Sequence, residues 1–250
     1  MNSWELALFA VVCFSMSIFS GFAGGGAGFI ITPVAIFLGL TPAQAVSSGK
    51  FNGLATTIGS LSSLRAKKGS IRKRYIAGIM ALSFVVGLFV PHIIRAFDNK
   101  AYRLTLGIIM LSMIPLVAHK KIGHESRHPN SVQKGIGSVL LTASLFLQGA
   151  FSGGLGSLVN IVLMGMLGQT ANEAHITKRW SQVVLNITII FGILHDHFIV
   201  WPVVGVGVVA NLIGSHIGGR IAMQRGDGFA VKALLGLMAV ASIFLIIGAL

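Results

Sequence analysis

The sequence is poor in charge, poorer in acid, and has a single cysteine. Asp, Glu, Lys and Arg make up 10% of the 250 residues, whereas a water-soluble domain carries about a quarter. Too few polar side chains exist to cover an aqueous surface, which excludes an ordinary soluble enzyme and a disordered chain. The lone Cys13 excludes an intrachain disulfide framework and carries no information about redox compartment. Before the first apolar run there is Glu5 but no Lys or Arg, the wrong beginning for a cleaved signal peptide, so that run is expected to stay as a membrane helix. No glycine-rich loop leads into Lys-Ser or Lys-Thr, which argues against ATP hydrolysis by this chain. No nucleophile–base–acid set can be assembled at membrane depth, so no catalytic residues are assigned.

What is present is apolar. Hydrophobic residues reach 54% and the mean hydropathy is +0.85. The runs Leu6–Ser20, Ile76–Ile94, Leu104–Ala118, Val183–Leu194 and Ala230–Leu250 are continuous. Alternating apolar and polar residues would mark barrel strands, so these runs predict an all-α integral membrane protein. The net charge of +13 is concentrated in short segments between the runs. Arg65, Lys67, Lys68, Arg72, Lys73 and Arg74 crowd one loop; Lys120, Lys121, Arg127 and Lys134 crowd another. Basic loops of this kind mark the cytoplasmic side and attract acidic lipid headgroups. The expected location is thus the cell (inner or plasma) membrane, with loops 65–75 and 119–134 inside and no role in nucleic-acid binding.

The chain also repeats itself. Gly21-Phe-Ala-Gly-Gly-Gly-Ala-Gly28 is echoed by Gly149-Ala-Phe-Ser-Gly-Gly-Leu-Gly156, and Gly39-Leu-Thr-Pro-Ala-Gln-Ala45 by Gly168-Gln-Thr-Ala-Asn-Glu-Ala174. Lys50-Phe51 is echoed by Arg179-Trp180, and Ala101–Gly107 by Ala230–Gly236, at an offset always near 129 residues. The expected organisation is one transmembrane domain made of a repeat at 1–120, a basic linker at 121–134 and a second repeat at 135–250. The basic loop of the first half corresponds to His195-Asp-His-Phe198 in the second, which lacks Lys and Arg. This asymmetry predicts inverted repeats. Glycines with Pro33 and Pro42 divide the apolar runs into pieces such as Phe29–Leu38, too short to span. Each half is therefore expected to hold four to five helical segments, some broken at mid-membrane; seven or eight full helices are the simpler count.

Broken helices expose N–H groups and a partial positive charge, and glycine allows close approach to a ligand. Gly24, Gly25 and Gly26 in one half, and Gly153 and Gly154 in the other, are candidate anion cradles, with close helix packing as the competing explanation. Lys50, Lys178 and Arg179 lie far from the span ends; Lys50 is roughly 22 Å along a helix from the basic loop. A cation there costs on the order of 3 kcal/mol and needs a partner or a wet cavity. Only six acids exist (Glu5, Asp98, Glu125, Glu173, Asp196 and Asp227), and Glu173 alone approaches that depth. Snorkelling or pairing with Glu173 would satisfy one cation; an anionic ligand would supply the missing charge. Ser47, Ser48 and Asn52 beside Lys50, and Thr177, Gln182 and Asn186 beside Arg179, suit oxyanion groups, with Phe51 and Trp180 as walls. His195-Asp196-His197 is too small a set for a metal site, and no metal or cofactor is expected.

The Gly-Gly-Gly-Ala-Gly-Phe-(x)3-Pro33 pattern, Gly39-Leu-Thr-Pro-Ala-Gln-Ala and Ser47-Ser48-Gly-Lys-Phe resemble the sulfite exporter TauE/SafE family of membrane transporters. The second-half echoes extend that resemblance over nearly the whole chain, with Ile161 standing where Pro33 does, which predicts a milder second break. The resemblance implies secondary transport of small anions such as sulfite, sulfonates or sulfoacetate, without naming substrate or direction. Alternating access about Lys50 and Arg179 is the expected mechanism, with Glu173 or His175 carrying protons if transport is proton-coupled. A passive anion channel, or a membrane-embedded enzyme or assembly subunit using His195, Asp196 and His197, is the alternative. The oligomeric state is open, a homodimer being one arrangement.

Overall fold

The computed structural model describes residues 2–23, 26–63, 73–96, 98–118, 130–151 and 155–222, together with Ile247. All regular structure among them is helical: α1 (Ser3–Ala23), α2 (Gly28–Phe37), α3 (Pro42–Ser63), α4 (Lys73–Ala96), α5 (Asn99–Ala118), α6 (Ser131–Phe151), α7 (Gly156–Gly165), α8 (Ala171–Ile193) and α9 (Trp201–Ala222). Most of the two basic loops and the last apolar run, 230–250, lie outside the described residues.

Local chemistry explains where the helices stop and start. Gly39 and Gly168 have φ of +92° and +69°, the left-handed conformation that closes a helix and that glycine adopts without steric cost. Two residues later a threonine opens the next helix. The Thr41 Oγ1 accepts from the Gln44 N–H at 3.3 Å, and the Gln44 side chain accepts from the Thr41 N–H at 3.0 Å. Thr170 and Glu173 form the same reciprocal pair, at 3.3 Å and 3.0 Å. The repeated Gly-x-Thr-x-x-Gln/Glu signal is thus a glycine stop followed by a capping box, with Pro42 at the first position of α3, where a missing N–H costs nothing. Replacing Glu173 by Ala is expected to lower stability by about 1 kcal/mol. Glu173→Gln should leave it unchanged, since Gln44 already does the same work in the other half; thermal unfolding in detergent distinguishes the two.

Pro33 behaves differently from the sequence expectation. It sits inside α2, costing that helix one backbone hydrogen bond without ending it; the breaks fall at the glycines on either side. Nor is the second break milder. α7 has 10 residues, as does α2, because the flanking glycine stop and capping box, not the proline, set the length. At 1.5 Å per residue each spans about 15 Å, half a hydrocarbon core.

The longer helices fall into two kinds. α1, α4, α6 and α9 contain stretches of 19–22 residues apolar enough to cross a membrane. They present Leu8, Val11, Phe84, Leu88, Phe89, Val139, Val209 and Ile213 outward. α3 and α8 are as long, at 22 and 23 residues, but carry many of the buried polar residues, including Ser47, Asn52, Thr57, Thr177 and Ser181. They lie against each other and are shielded by apolar neighbours, α9 beside α3 and α4 beside α8. Polar groups in hydrocarbon must find partners within the protein, so apolar residues face lipid and the polar helices are enclosed. This is a multi-pass helical membrane protein.

The two halves interlock. α1 packs against α9 and α6 against α4, so the first helix of each half meets the fourth of the other. At α1/α9 the approach is close enough to exclude side chains. A Cβ on Gly21 would fall 2.8 Å from the Gly219 nitrogen, and one on Gly214 2.5 Å from the Phe14 carbonyl oxygen. Ser17 and Thr56 both hydrogen-bond Asn211, a buried amide on α9.

Candidate functional site

Lys50 near the middle of α3, and Lys178 and Arg179 near the middle of α8, are 3%, 1% and 3% exposed. Three buried cations with so few acids nearby are costly in an apolar interior unless each finds a partner. Their environments differ. The Lys50 ammonium donates to the backbone carbonyl of Gln148, at the end of α6, at 3.3 Å. Lys178 lies along the start of α7: a Cβ on Gly156 would fall 2.6 Å from its Cε and 2.9 Å from its Nζ. Arg179 instead lines a cavity of about 50 Å³, and its Nε has no hydrogen-bond partner. No carboxylate among the described residues pairs with it.

That cavity is formed where the glycine break before α2 meets α3, α8 and α9. Ala27 and Gly28 supply the helix start, Gly49, Asn52, Gly53, Thr56 and Thr57 the α3 face, Arg179 and Gln182 the α8 face, and Asn211 the α9 side. Gly26, just before the helix, has φ of +115°, a conformation closed to most side chains. Thr56 and Thr57 satisfy their hydroxyls on α3 carbonyls, at 2.9 and 2.8 Å. Asn52 does not: both its amide nitrogen and its oxygen are buried without partners. Among the described residues, the unsatisfied groups of the cavity are therefore the Arg179 Nε–H and the Asn52 side-chain amide, three N–H donors between them. Such a donor set suits a small oxyanion, and the volume has room for one or for a few waters.

The other residues singled out in the sequence are distributed around this cavity. Ser47 is buried with an unpartnered Oγ. The Ser48 Oγ accepts from the Val200 N–H at 3.1 Å, just ahead of α9. Phe51 packs on Trp201, ring centres 5.8 Å apart. Thr177 is buried, and Asn186 lies against Gly53. Trp180 is 43% exposed and does not line the cavity, since one residue along a helix turns a side chain by about 100° from Arg179. Glu173 is engaged at the cap of α8 by Thr170. The His175 Nδ1 lies 3.5 Å from the Asn160 amide. Gly24, Gly25, Gly153 and Gly154 lie outside the described residues.

Ser20, Thr32, Thr56, Thr57 and Asn211 line the cavity and were missed by the sequence reading. A usable signal existed in the four-residue spacing of Asn52–Thr56 and Gly53–Thr57, and in the lone amide of the apolar α9.

At the opposite end of the central pair, Asp196 has both carboxylate oxygens on Arg95, at 3.0 Å each, while the same guanidinium donates to the Gly192 carbonyl at 2.8 Å. Arg95 closes α4 and this bidentate contact ties it to the end of α8. The loop acid is thus used structurally. Asp196→Ala is expected to cost at most about 1 kcal/mol, because the pair is partly exposed (40% and 17%), and to leave transport intact; unfolding in detergent and uptake in vesicles check both halves of this expectation.

Apolar helices facing lipid around two short broken helices and a polar, cationic centre define a membrane transporter architecture rather than that of a soluble catalyst. The chain belongs to the sulfite exporter TauE/SafE family, whose family model matches residues 8–245. It is 24% identical over 222 residues to a probable membrane transporter protein of Haemophilus influenzae, covering 88% of this chain and 86% of that protein. It is likewise 24% identical over 245 residues to the probable membrane transporter protein ORF9 of a Sinorhizobium species, covering 94% and 90%. No solved structure is significantly similar to it.

Proposed function

We propose that this membrane transporter is a secondary carrier of small anions, with sulfur oxyanions or organosulfonates such as sulfite and sulfoacetate as the substrate class. The observation that carries the reading is Arg179: a buried guanidinium on a cavity, with no carboxylate among the described residues to neutralise it. A substrate anion completes the charge, Asn52 and Gln182 complete its hydrogen bonds, and the positive end of the α2 dipole favours it. The two halves act as inverted repeats whose relative rocking exposes the cavity to either side in turn. The matched helices support this: α6 starts 128 residues after α1, and α7 128 after α2, with contacts exchanged between halves. Where transport is coupled to protons, His175 is the candidate carrier, since Glu173 is held in its cap.

Solid-supported-membrane electrometry on proteoliposomes tests the reading. Sulfite, sulfoacetate, thiosulfate, sulfate and lactate are applied at two pH values, with taurine as a zwitterion. A saturating current for a sulfur anion is the expected result. A current linear in concentration would mark a passive channel, and absence of both current and radiolabelled uptake would remove the anion-carrier reading.

A further inference from the structure

The two halves carry corresponding breaks, yet the spaces beside them differ. In the first half the cavity reaches Gly28, the first residue of α2, with Ser20 of α1 and Gly49 of α3 on its lining and Arg179 entering from the other half. A shift of 128–129 residues carries Gly28 to Gly156, Ser20 to Gln148, Gly49 to Lys178 and Arg179 back to Lys50. Each of these counterparts meets its expected neighbour. Lys50 crosses to Gln148, at 3.3 Å from its carbonyl, as Arg179 crosses to the cavity that Ser20 lines. Elsewhere the lining changes too, Asn52 to Ser181 and Thr56 to Leu185, but the change that sets a long side chain against the break is Gly49 to Lys178. Gly49 leaves open space, with nothing within 4 Å of where its Cβ would stand. Lys178, in the same place in the second half, is 1% exposed and packs its Cε and Nζ against Gly156. The Gln148 Oε1 beside this region is buried without a partner.

We propose that the second half holds a counterpart of the Arg179 cavity that the Lys178 side chain fills, so the chain binds one small anion rather than two. The inference rests on reading the Arg179 cavity as the anion site. It assigns Lys178 a new role: a tethered cation that occupies the second site and makes a pseudo-symmetric centre functionally single. Gly49 is then the residue that keeps the first site open.

Equilibrium dialysis of the detergent-purified full chain, with radiolabelled sulfite and with bromide as a second probe, counts the sites. Lys178→Ala is expected to gain one anion per chain over the unmodified protein, with Lys50 as its cation, and the gain should vanish in Lys50→Ala/Lys178→Ala. No gain with either probe, or loss of an anion that the unmodified chain holds, overturns the proposal. The increment is readable whatever the unmodified chain binds. A protein that binds nothing until Lys178 is removed therefore contradicts the reading of the Arg179 cavity while supporting the plug. If Lys178→Ala does not purify as a monodisperse species, Gly49→Lys supplies the mirror test. Its new side chain should fill the Arg179 cavity and abolish sulfite binding in a protein that still purifies as a monodisperse species, and retained binding overturns the proposal.

Discussion

Arg179→Ala is expected to weaken saturable anion transport severely and to leave the protein folded. Removing one member of a buried, hydrogen-bonded charge pair costs about 2–5 kcal/mol, so apparent affinity should fall by roughly 30-fold or more. The stability result separates this account from a structural one. A cation that held the fold together would leave an orphaned partner when truncated, and the protein would be destabilised. Among the described residues no carboxylate meets Arg179, and its Nε is unsatisfied, so its truncation orphans no charge there. In the absence of substrate its removal relieves a buried unpaired charge, so the unfolding temperature should hold or rise. Arg179→Lys is expected to recover little, because a compact ammonium cannot present the planar fork of donors that suits an oxyanion. Uptake of radiolabelled sulfite into proteoliposomes, paired with thermal unfolding of the same preparations, reads both quantities. A stable Arg179→Ala protein that transports normally would sink the proposed site.

The largest stability loss is expected where α1 meets α9. Gly21→Val must place a side chain where even its Cβ would be 2.8 Å from the Gly219 nitrogen and the Ser215 carbonyl oxygen. Both obstacles are backbone, so no rotamer change relieves the clash, and the helices must separate. Overpacking in a well-packed interior costs typically 1–3 kcal/mol, and here separation would also stretch the hydrogen bond between Ser17 and Asn211. Within a membrane, association of helices depends on close contact of small residues and on such polar bonds, since lipid offers no hydrophobic drive between them. A clear drop in unfolding temperature, with aggregated material on size exclusion, is the expected outcome. Gly78→Ala is the control: its Cβ meets nothing within 4 Å, and replacing glycine within a helix by alanine gains up to about 1 kcal/mol. Equal behaviour of the two variants would show that the α1/α9 approach is not a packing constraint.

Some of this molecule was legible without coordinates. Scarcity of charge alone required a membrane setting, because so apolar a chain has too few polar side chains to cover a surface facing water. The duplicated Gly-x-Thr-x-x-Gln/Glu signal was visible as a repeat, though its role in ending α2 and α7 and starting α3 and α8 was read only from the structure. Its chemistry is local, a left-handed glycine and a side chain bonding N–H groups within one turn. Depth along the chain was enough to mark Lys50, Lys178 and Arg179 as buried cations short of acids. Tertiary packing alone decided what each cation meets. Helical periodicity separates Arg179 from Trp180 by about 100° but does not say which faces the cavity and which lies exposed. Lys50 finds its acceptor on Gln148, 98 residues away, and Asn211 joins the cavity from a helix whose sequence before it is apolar. Such meetings depend on which helices cross, and α1 with α9 and α6 with α4 cross through glycines whose partners lie in the other half of the chain. Local rules place a residue on a helix; only the packing of the helices decides which cation is left without a counter-charge.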